Sequence, residues 1–342
     1  MQADTAARTA LVLETNNLRG GADAAAKTAA SLERVIGLLA GQSLPLRALA
    51  QVVVTHDGLS DACRAAVTRL AGRAVDFVRI DDATGYYDAK NAGFAATDAA
   101  RCDYVAFADT DCVPAPDWLE QLLAPLAGAD APAVVVGRTS YAASVVGSAL
   151  TTLDFMYFPS PLQAGATRNF YANNVVFRRD VFARYNYQSL NGVYRAHCQV
   201  LGLHLQQAGV ALHYAAAAHT EHKLPDSRFE ALKLRWMRGQ DTHGLTPHLV
   251  RAYLPRSLQW LGRSGPLGPL CVLGSRLCFS LRALNHQHLP PLRGPRWLSG
   301  VALIAAFSAV DMLGALCRGL GLRTSPGGED AAAAQALSYH RR

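Results

Sequence analysis

Residues 104–120 read YVAFADTDCVPAPDWLE, and this stretch decides the fold. An apolar run ends in two carboxylates, Asp109 and Asp111, separated by one small residue, with Pro114, Pro116 and Trp118 close behind. In an extended strand, residues i and i+2 point the same way, roughly 6–7 Å apart. Both carboxylates are therefore expected at the carboxyl end of a buried strand, where open α/β sheets bind their ligands. Such a pair suits a hard divalent cation holding a diphosphate. The plain alternative for an isolated D-x-D is a solvated acidic turn.

The flanking sequence repeats this pattern. Residues 10–14, ALVLE, read as a first strand running into Thr15, Asn16 and Asn17, and a helix is expected over 23–40 with Leu32, Val35, Ile36 and Leu39 on one face. Residues 50–54, AQVVV, read as a β-branched strand ending near Asp57 and Gly58. A helix over 60–71, a strand over 75–80, a helix over 88–99 and the strand over 103–108 follow. The alternation βαβαβαβ predicts a mostly parallel sheet with helices on both faces. Polar residues recur where strands end (Glu14, Asn16, Asp57, Asp109, Asp111), which points to one site on one edge. Beyond it, a helix over 117–127, a strand over 133–136, a strand and helix over 171–184, a helix over 197–208, a strand over 210–215 and a basic, aromatic helix over 228–244 are expected.

With 342 residues, half of them hydrophobic and 17% charged, the chain can build a large core and global disorder is excluded. The polar start MQADTAARTA does not read as a signal peptide. Seven cysteines without a C-x-x-C pair argue for a reducing compartment and against a disulfide framework or zinc knuckle. The net charge of +7 is uneven: residues 1–250 carry 22 Lys+Arg against 23 Asp+Glu, and residues 251–342 carry 11 Arg against 3 acids. Because those arginines alternate with apolar stretches, an anionic membrane surface is the expected partner, and nucleic acid is not.

Residues 266–282 and 298–317 are apolar. The second is about 20 residues, long enough to span a bilayer, although Asp311 within it costs on the order of 3 kcal/mol near the centre. Arginines flank both segments, so charge asymmetry gives no orientation. A membrane hairpin, a helix pair lying in the interface and ordinary core helices all remain open readings.

Asp57-Gly58, Lys90-Asn91-Ala92-Gly93, Asp109-Thr110-Asp111 and Tyr171-Ala172-Asn173-Asn174 occur in an order and spacing that resembles inverting family 2 glycosyltransferases of the GT-A fold. The resemblance covers residues 10–245. It implies a Rossmann-like α/β transferase domain over 1–250, with a nucleotide-binding half over 8–137 and an acceptor half over 138–250. A membrane-associated region would follow over 251–342, ending in a flexible tail over 324–342.

The resemblance also implies roles. Thr15, Asn16 and Asn17 would meet the nucleotide, Asp57 the base, and Lys90 and Asn91 the phosphates and base. Asp109 would face the ribose and sugar, and Asp111 would bind Mg²⁺ or Mn²⁺ with His222 as a further ligand. Asn173 and Asn174 would border donor sugar and acceptor. Arg235, Trp236 and Arg238 resemble the R-W element of membrane-linked members, but Leu232 and Lys233 replace the Gln expected before it, which speaks against a processive polymerase. Residues 141–170, which show no clear period, would be an acceptor-binding loop or a mobile segment.

Inverting transfer needs a general base. Where the family supplies a Glu-Asp pair, this chain has His197 and Cys198. His197 and Asp241 are the candidates carried forward, with Glu221 behind them.

The expected activity is metal-dependent transfer from a nucleotide-sugar, UDP-linked in first instance, to a lipid- or glycan-linked acceptor at the cytoplasmic face of the inner or plasma membrane. Two other readings stand beside it. One is a catalytically silent nucleotide-sugar-binding or scaffold protein, favoured by the missing acidic pair. The other is a sugar-1-phosphate nucleotidyltransferase, for which Arg19-Gly20-Gly21 is too sparse a loop.

Overall fold

The computed structural model describes residues 2–15, 24–128, 130–190, 193, 195–286 and 289–322. Asn16, Asn17, the Arg19-Gly20-Gly21 loop and the tail over 324–342 lie outside the described residues.

A short helix α1 (Gln2–Ala6) leads into β1 (Thr9–Glu14), whose six residues are all buried. Then come α2 (Ala24–Ala40), β2 (Gln51–His56), α3 (Asp61–Ala71), β3 (Asp76–Arg79), α4 (Tyr86–Ala95) and β4 (Tyr104–Asp109). β1 pairs in parallel with β2 and β4, and β2 with β3. Strands covered on both faces read as unbroken apolar runs, which is why TALVLE, QVVVTH and YVAFAD were legible. Ser60 caps α3 by accepting from the Cys63 amide at 3.2 Å, and Gly72 ends it in the left-handed region at φ 63°. α4 lies directly on β1: a Cβ at Gly93 would overlap Val12, so the glycine of the Lys90-Asn91-Ala92-Gly93 stretch sets the approach of helix to sheet.

The chain continues through β5 (Cys112–Pro114), α5 (Trp118–Leu123), β6 (Val134–Ser140), α6 (Val145–Asp154), β7 (Ala166–Thr167), β8 (Asn174–Arg178), α7 (Arg179–Tyr185), α8 (His197–Gln207) and β9 (Leu212–His222). The mixed sheet has the order β3-β2-β1-β4-β8-β6-β9-β5, with β7 on β9. β8 runs antiparallel to β4 and β6, while β6 and β9 are parallel.

In this stretch two elements differ most from expectation. Residues 141–170 contain α6, whose residues from Gly147 to Asp154 are all buried, so no polar face remained to reveal a helical period. β9 runs to His222, well past residue 215, because pairing with β6 and β5 overrides the weak strand preference of its alanine run.

α9 (Arg228–Tyr253) follows, longer than expected and continuing through Pro247. A 3-10 segment (Arg256–Arg263), α10 (Leu267–Ala283) and α11 (Pro295–Gly319) complete the described chain. α11 is the one helix among the described residues long and apolar enough to cross a membrane. One face of it is packed: Ile304 and Phe307 share a core cluster with Tyr141, Leu150, Leu153, Phe155 and Ala231. Asp311 is 3% exposed and ion-paired to Arg235 of α9, so the cost expected for that carboxylate in lipid is offset here by a buried counter-charge.

Candidate active site

Parallel register brings strand ends level. Glu14 stands opposite both Thr55 of β2 and Asp109 of β4, so the residues after β1, β2 and β4 share one edge of the sheet. Thr15 is buried there and donates to the Thr55 carbonyl at 2.8 Å. Asp57 follows β2 on the same edge. After Asp109 the chain turns into β5, which pairs antiparallel with β9 so that Cys112 faces His222. That register sets His222 beside Asp111. Arg34 of α2 holds the turn, donating to the Thr110 carbonyl at 3.0 Å and the Cys112 carbonyl at 3.2 Å.

The two acids of the D-x-D are in different environments. Asp109 is 3% exposed. Lys90, fully buried, lies 2.5 Å from its Oδ1, and the Tyr86 hydroxyl donates to its Oδ2 at 2.6 Å. Burial pushes the Asp109 carboxyl up, and the Lys90 charge pulls it back. In this structure Lys90 is thus the counter-ion of Asp109. Tyr86 was missed by the sequence reading because nothing in its spacing sets it apart from a core aromatic.

Asp111 lines the same cavity as Asp109 with different partners. Its Oδ2 lies 3.3 Å from His222 Nε2. His222 Nδ1 lies 2.9 Å from the Lys223 carbonyl, which can only accept, so the ring proton of the neutral imidazole belongs on Nδ1. Nε2 then offers a lone pair toward a carboxylate oxygen. Two acceptors at that distance need a cation or a proton between them. One ligand atom each from Asp111, Cys112 and His222 fall within 4.8 Å of one another. The Cys112 thiol is kept protonated by burial and by the two neighbouring carboxylates, and it donates to Asp111 Oδ1 at 3.6 Å. The fitting donor set is thus one carboxylate and one imidazole, leaving positions for phosphate and water, as Mg²⁺ or Mn²⁺ prefers.

A cavity of about 1540 Å³ opens in front of this pair. Among the expected site residues, Asp109, Asp111, Asn173, His222, Arg235, Arg238 and Asp241 line it. Thr15, Asp57, Lys90, Asn91, Asn174, His197 and Trp236 do not. Asn91 instead clamps the backbone of Tyr187, donating to its carbonyl at 2.7 Å. Asn174 is fully buried, accepts from the Trp118 indole at 2.8 Å and donates to the Arg138 and Ala218 carbonyls, which ties β8 to its neighbours. Asn173 accepts from Thr139 and donates to Cys112 Sγ, bracing the loop behind Asp111.

Arg235 reaches the cavity wall, but its guanidinium is held by Asp154 of α6 at 2.5 Å and by Asp311 of α11. Arg238 also pairs with Asp154. Both arginines are thereby joined to carboxylates, and Asp154 is a site residue that the sequence reading missed for want of a recognisable helix. Trp236 packs its backbone carbonyl where a Cβ on Gly314 of α11 would fall.

Of the two base candidates, His197 stacks on Tyr87 with ring centroids 4.4 Å apart, and burial pushes its pKa down to about 4. Asp241 is 2% exposed, lines the cavity and accepts from the Arg195 amide at 3.0 Å.

A mixed α/β sheet that delivers a D-x-D to the mouth of a large cleft defines a nucleotide-sugar transferase architecture of the GT-A kind. Residues 27–186 match the family model described as glycosyl transferase family 2. Those residues therefore carry a glycosyl transferase family 2 domain, and the chain has the GT-A fold. No curated protein sequence matches it. Among solved structures it is similar to the mannosyltransferase PcManGT from Pyrobaculum calidifontis, in complex with GDP-Man and Mn2+. Identity is 17%, the match covers 92% of this chain and 87% of that one, and the TM-score is 0.57. It is also similar to S. aureus TarS 1-349 in complex with UDP, at 11% identity over 89% of this chain and 90% of that one, with a TM-score of 0.46.

Proposed function

We propose that the protein transfers a sugar, with inversion, from a nucleotide-diphosphate sugar to a lipid- or glycan-linked acceptor, and that Asp111 and His222 hold the divalent ion that the reaction uses. The observation carrying this reading is the 3.3 Å approach of His222 Nε2 to Asp111 Oδ2 with Nδ1 already committed to Lys223. A bound Mg²⁺ or Mn²⁺ there would act as a Lewis acid toward the leaving diphosphate.

The chain's own residues do the rest. Lys90 and Tyr86 fix the Asp109 carboxylate at the cavity wall, positioned for a donor hydroxyl. Arg34 fixes the turn that aims Asp111. Asp241, carried on α9 into the same cavity, is the base we assign to the acceptor hydroxyl. Residues 1–250 form the transferase unit in this reading. The segment from 251 lies against it as a basic, apolar platform at the cytoplasmic face of a membrane, supported by exposed Trp260, Leu267, Trp297 and Leu298 among its arginines.

The test is metal-dependent hydrolysis of UDP- and GDP-sugars by the purified protein and by Asp111→Ala. Wild-type hydrolysis that needs Mn²⁺ and falls at least about a hundredfold in the variant supports the site. Equal turnover by both proteins refutes it.

A further inference from the structure

The cavity is larger than one donor requires. Small-molecule pockets run to roughly 300–1,000 Å³, and this one holds about 1540 Å³. Beside Asp111 and Phe155, its lining includes an apolar arm set on the 3-10 segment, α9, α10 and the loop after α6, made of Phe158, Tyr253, Leu258, Leu261, Val272 and Phe279. Phe158 and Phe279 pack on each other with ring centroids 4.6 Å apart.

Where this apolar arm meets the polar half, charge does not balance. Arg235, Arg238 and Arg276 stand together with only Asp154 and Asp311 as near carboxylates, and both of these are taken by Arg235 and Arg238. Arg276 of α10 donates to the Leu153 carbonyl at 3.1 Å and makes no ion pair among the described residues. Burial and the two neighbouring guanidinium groups push its pKa down to about 10. An arginine set against other arginines in an apolar cavity is stabilised by an anion. The elements forming this arm, the 3-10 segment and α10, also carry exposed Leu258, Trp260, Leu267 and Cys271, so the arm adjoins an apolar, basic outer surface.

We propose that this arm is a binding site for a long-chain lipid phosphate, with Arg276 pairing the phosphate and the apolar walls taking the first part of the hydrocarbon chain. Its assignment as the acceptor subsite rests on the transferase reading above, while the binding itself does not. A lipid held with its headgroup at Arg276 places that headgroup in the same cavity as Asp111 and Asp241.

The full chain is titrated by calorimetry with decyl phosphate, decanol and inorganic phosphate, each as a monomeric solution. Wild type is expected to bind decyl phosphate at least about tenfold tighter than either of the other two. Arg276→Gln is expected to lose about tenfold or more for decyl phosphate and little for decanol. Val272→Trp, which blocks the arm without touching charge, is expected to lose both decyl compounds. Melting curves of both variants show whether each is folded. Equal affinity of wild type and folded Arg276→Gln for decyl phosphate overturns the proposal. So does inorganic phosphate binding as tightly as decyl phosphate, which marks a free-anion or phosphosugar site, or decanol doing so, which marks an apolar pocket only. Mn²⁺-dependent donor hydrolysis by wild type is measured in parallel. Lipid phosphate binding without hydrolysis leaves this site standing and removes the transferase reading, and hydrolysis without binding does the reverse.

Discussion

Lys90→Met removes the counter-charge from a carboxylate with almost no access to water. Lys90 is 0% and Asp109 3% exposed, and their atoms meet at 2.5 Å. Breaking such a pair by deleting one partner costs about 3–5 kcal/mol, since the remaining charge stays buried. The Tyr86 hydroxyl bond survives the change and offsets a fraction of that.

The variant also acquires a pH signature whose sign is fixed. Without Lys90, burial raises the native carboxyl pKa further above its unfolded value. A carboxyl with a raised native pKa binds its proton more tightly folded than unfolded. Its contribution to stability is therefore greatest in acid and is lost as pH rises from the unfolded pKa to the native one, at about 1.4 kcal/mol per unit of pH. The destabilisation of Lys90→Met relative to wild type should then be larger near pH 8 than near pH 5. Urea unfolding followed by tryptophan fluorescence measures it, with Trp118, 1% exposed at the start of α5, as the reporter. Adding Asp109→Asn should abolish the excess pH dependence. A loss below about 1 kcal/mol, or one equal at both pH values, would falsify the assignment of Lys90 as counter-ion rather than ligand contact.

Two further outcomes follow from the same geometry. Asp241→Asn should lower donor turnover about 10²–10⁴-fold with KM for the donor nearly unchanged, whereas His197→Gln should stay within a few-fold of wild type, and steady-state kinetics that reverse this order would move the base to His197. Gly239→Ala places a methyl group on the Asp311 carbonyl where α9 and α11 cross, so overpacking of about 1–3 kcal/mol is expected, and an unchanged melting temperature would refute the close crossing.

The first half of the fold was legible because its strands are covered on both faces. β1, β2 and β4 announce themselves as unbroken apolar runs ending in polar residues, and their shared edge follows from parallel pairing alone. His222 was legible by its place at a strand end, although the strand that carries it is longer than expected and it is the β5–β9 register that sets it beside Asp111. The partners within the site were not legible. Nothing in the sequence couples Lys90 to Asp109 rather than to a phosphate. α6 was hidden because it is buried all round, and with it Asp154, the carboxylate that binds both Arg235 and Arg238. Nothing in the sequence of the apolar segment 266–282 places its Arg276 near Arg235 and Arg238.

Spacing predicts that Asp109 and Asp111 address one point, and the structure gives each a different task because each meets a different environment. Strand β4 carries Asp109 into the core, where it is acceptable only with Lys90 beneath it and Tyr86 at its side. The turn into β5 releases Asp111 from that constraint, leaving its side chain 13% exposed beside an imidazole with a lone pair to give. Asp311 follows the same logic at the other end of the chain. An acid in an apolar 25-residue helix is costly in lipid, but in this packing it is the socket for Arg235, and removing either leaves the other charged and buried. The helix that looks most like a membrane span is thus fastened to α9 through a residue that a free span would least tolerate. That fastening fixes α9, and with it Asp241, against the cavity that Asp111 faces.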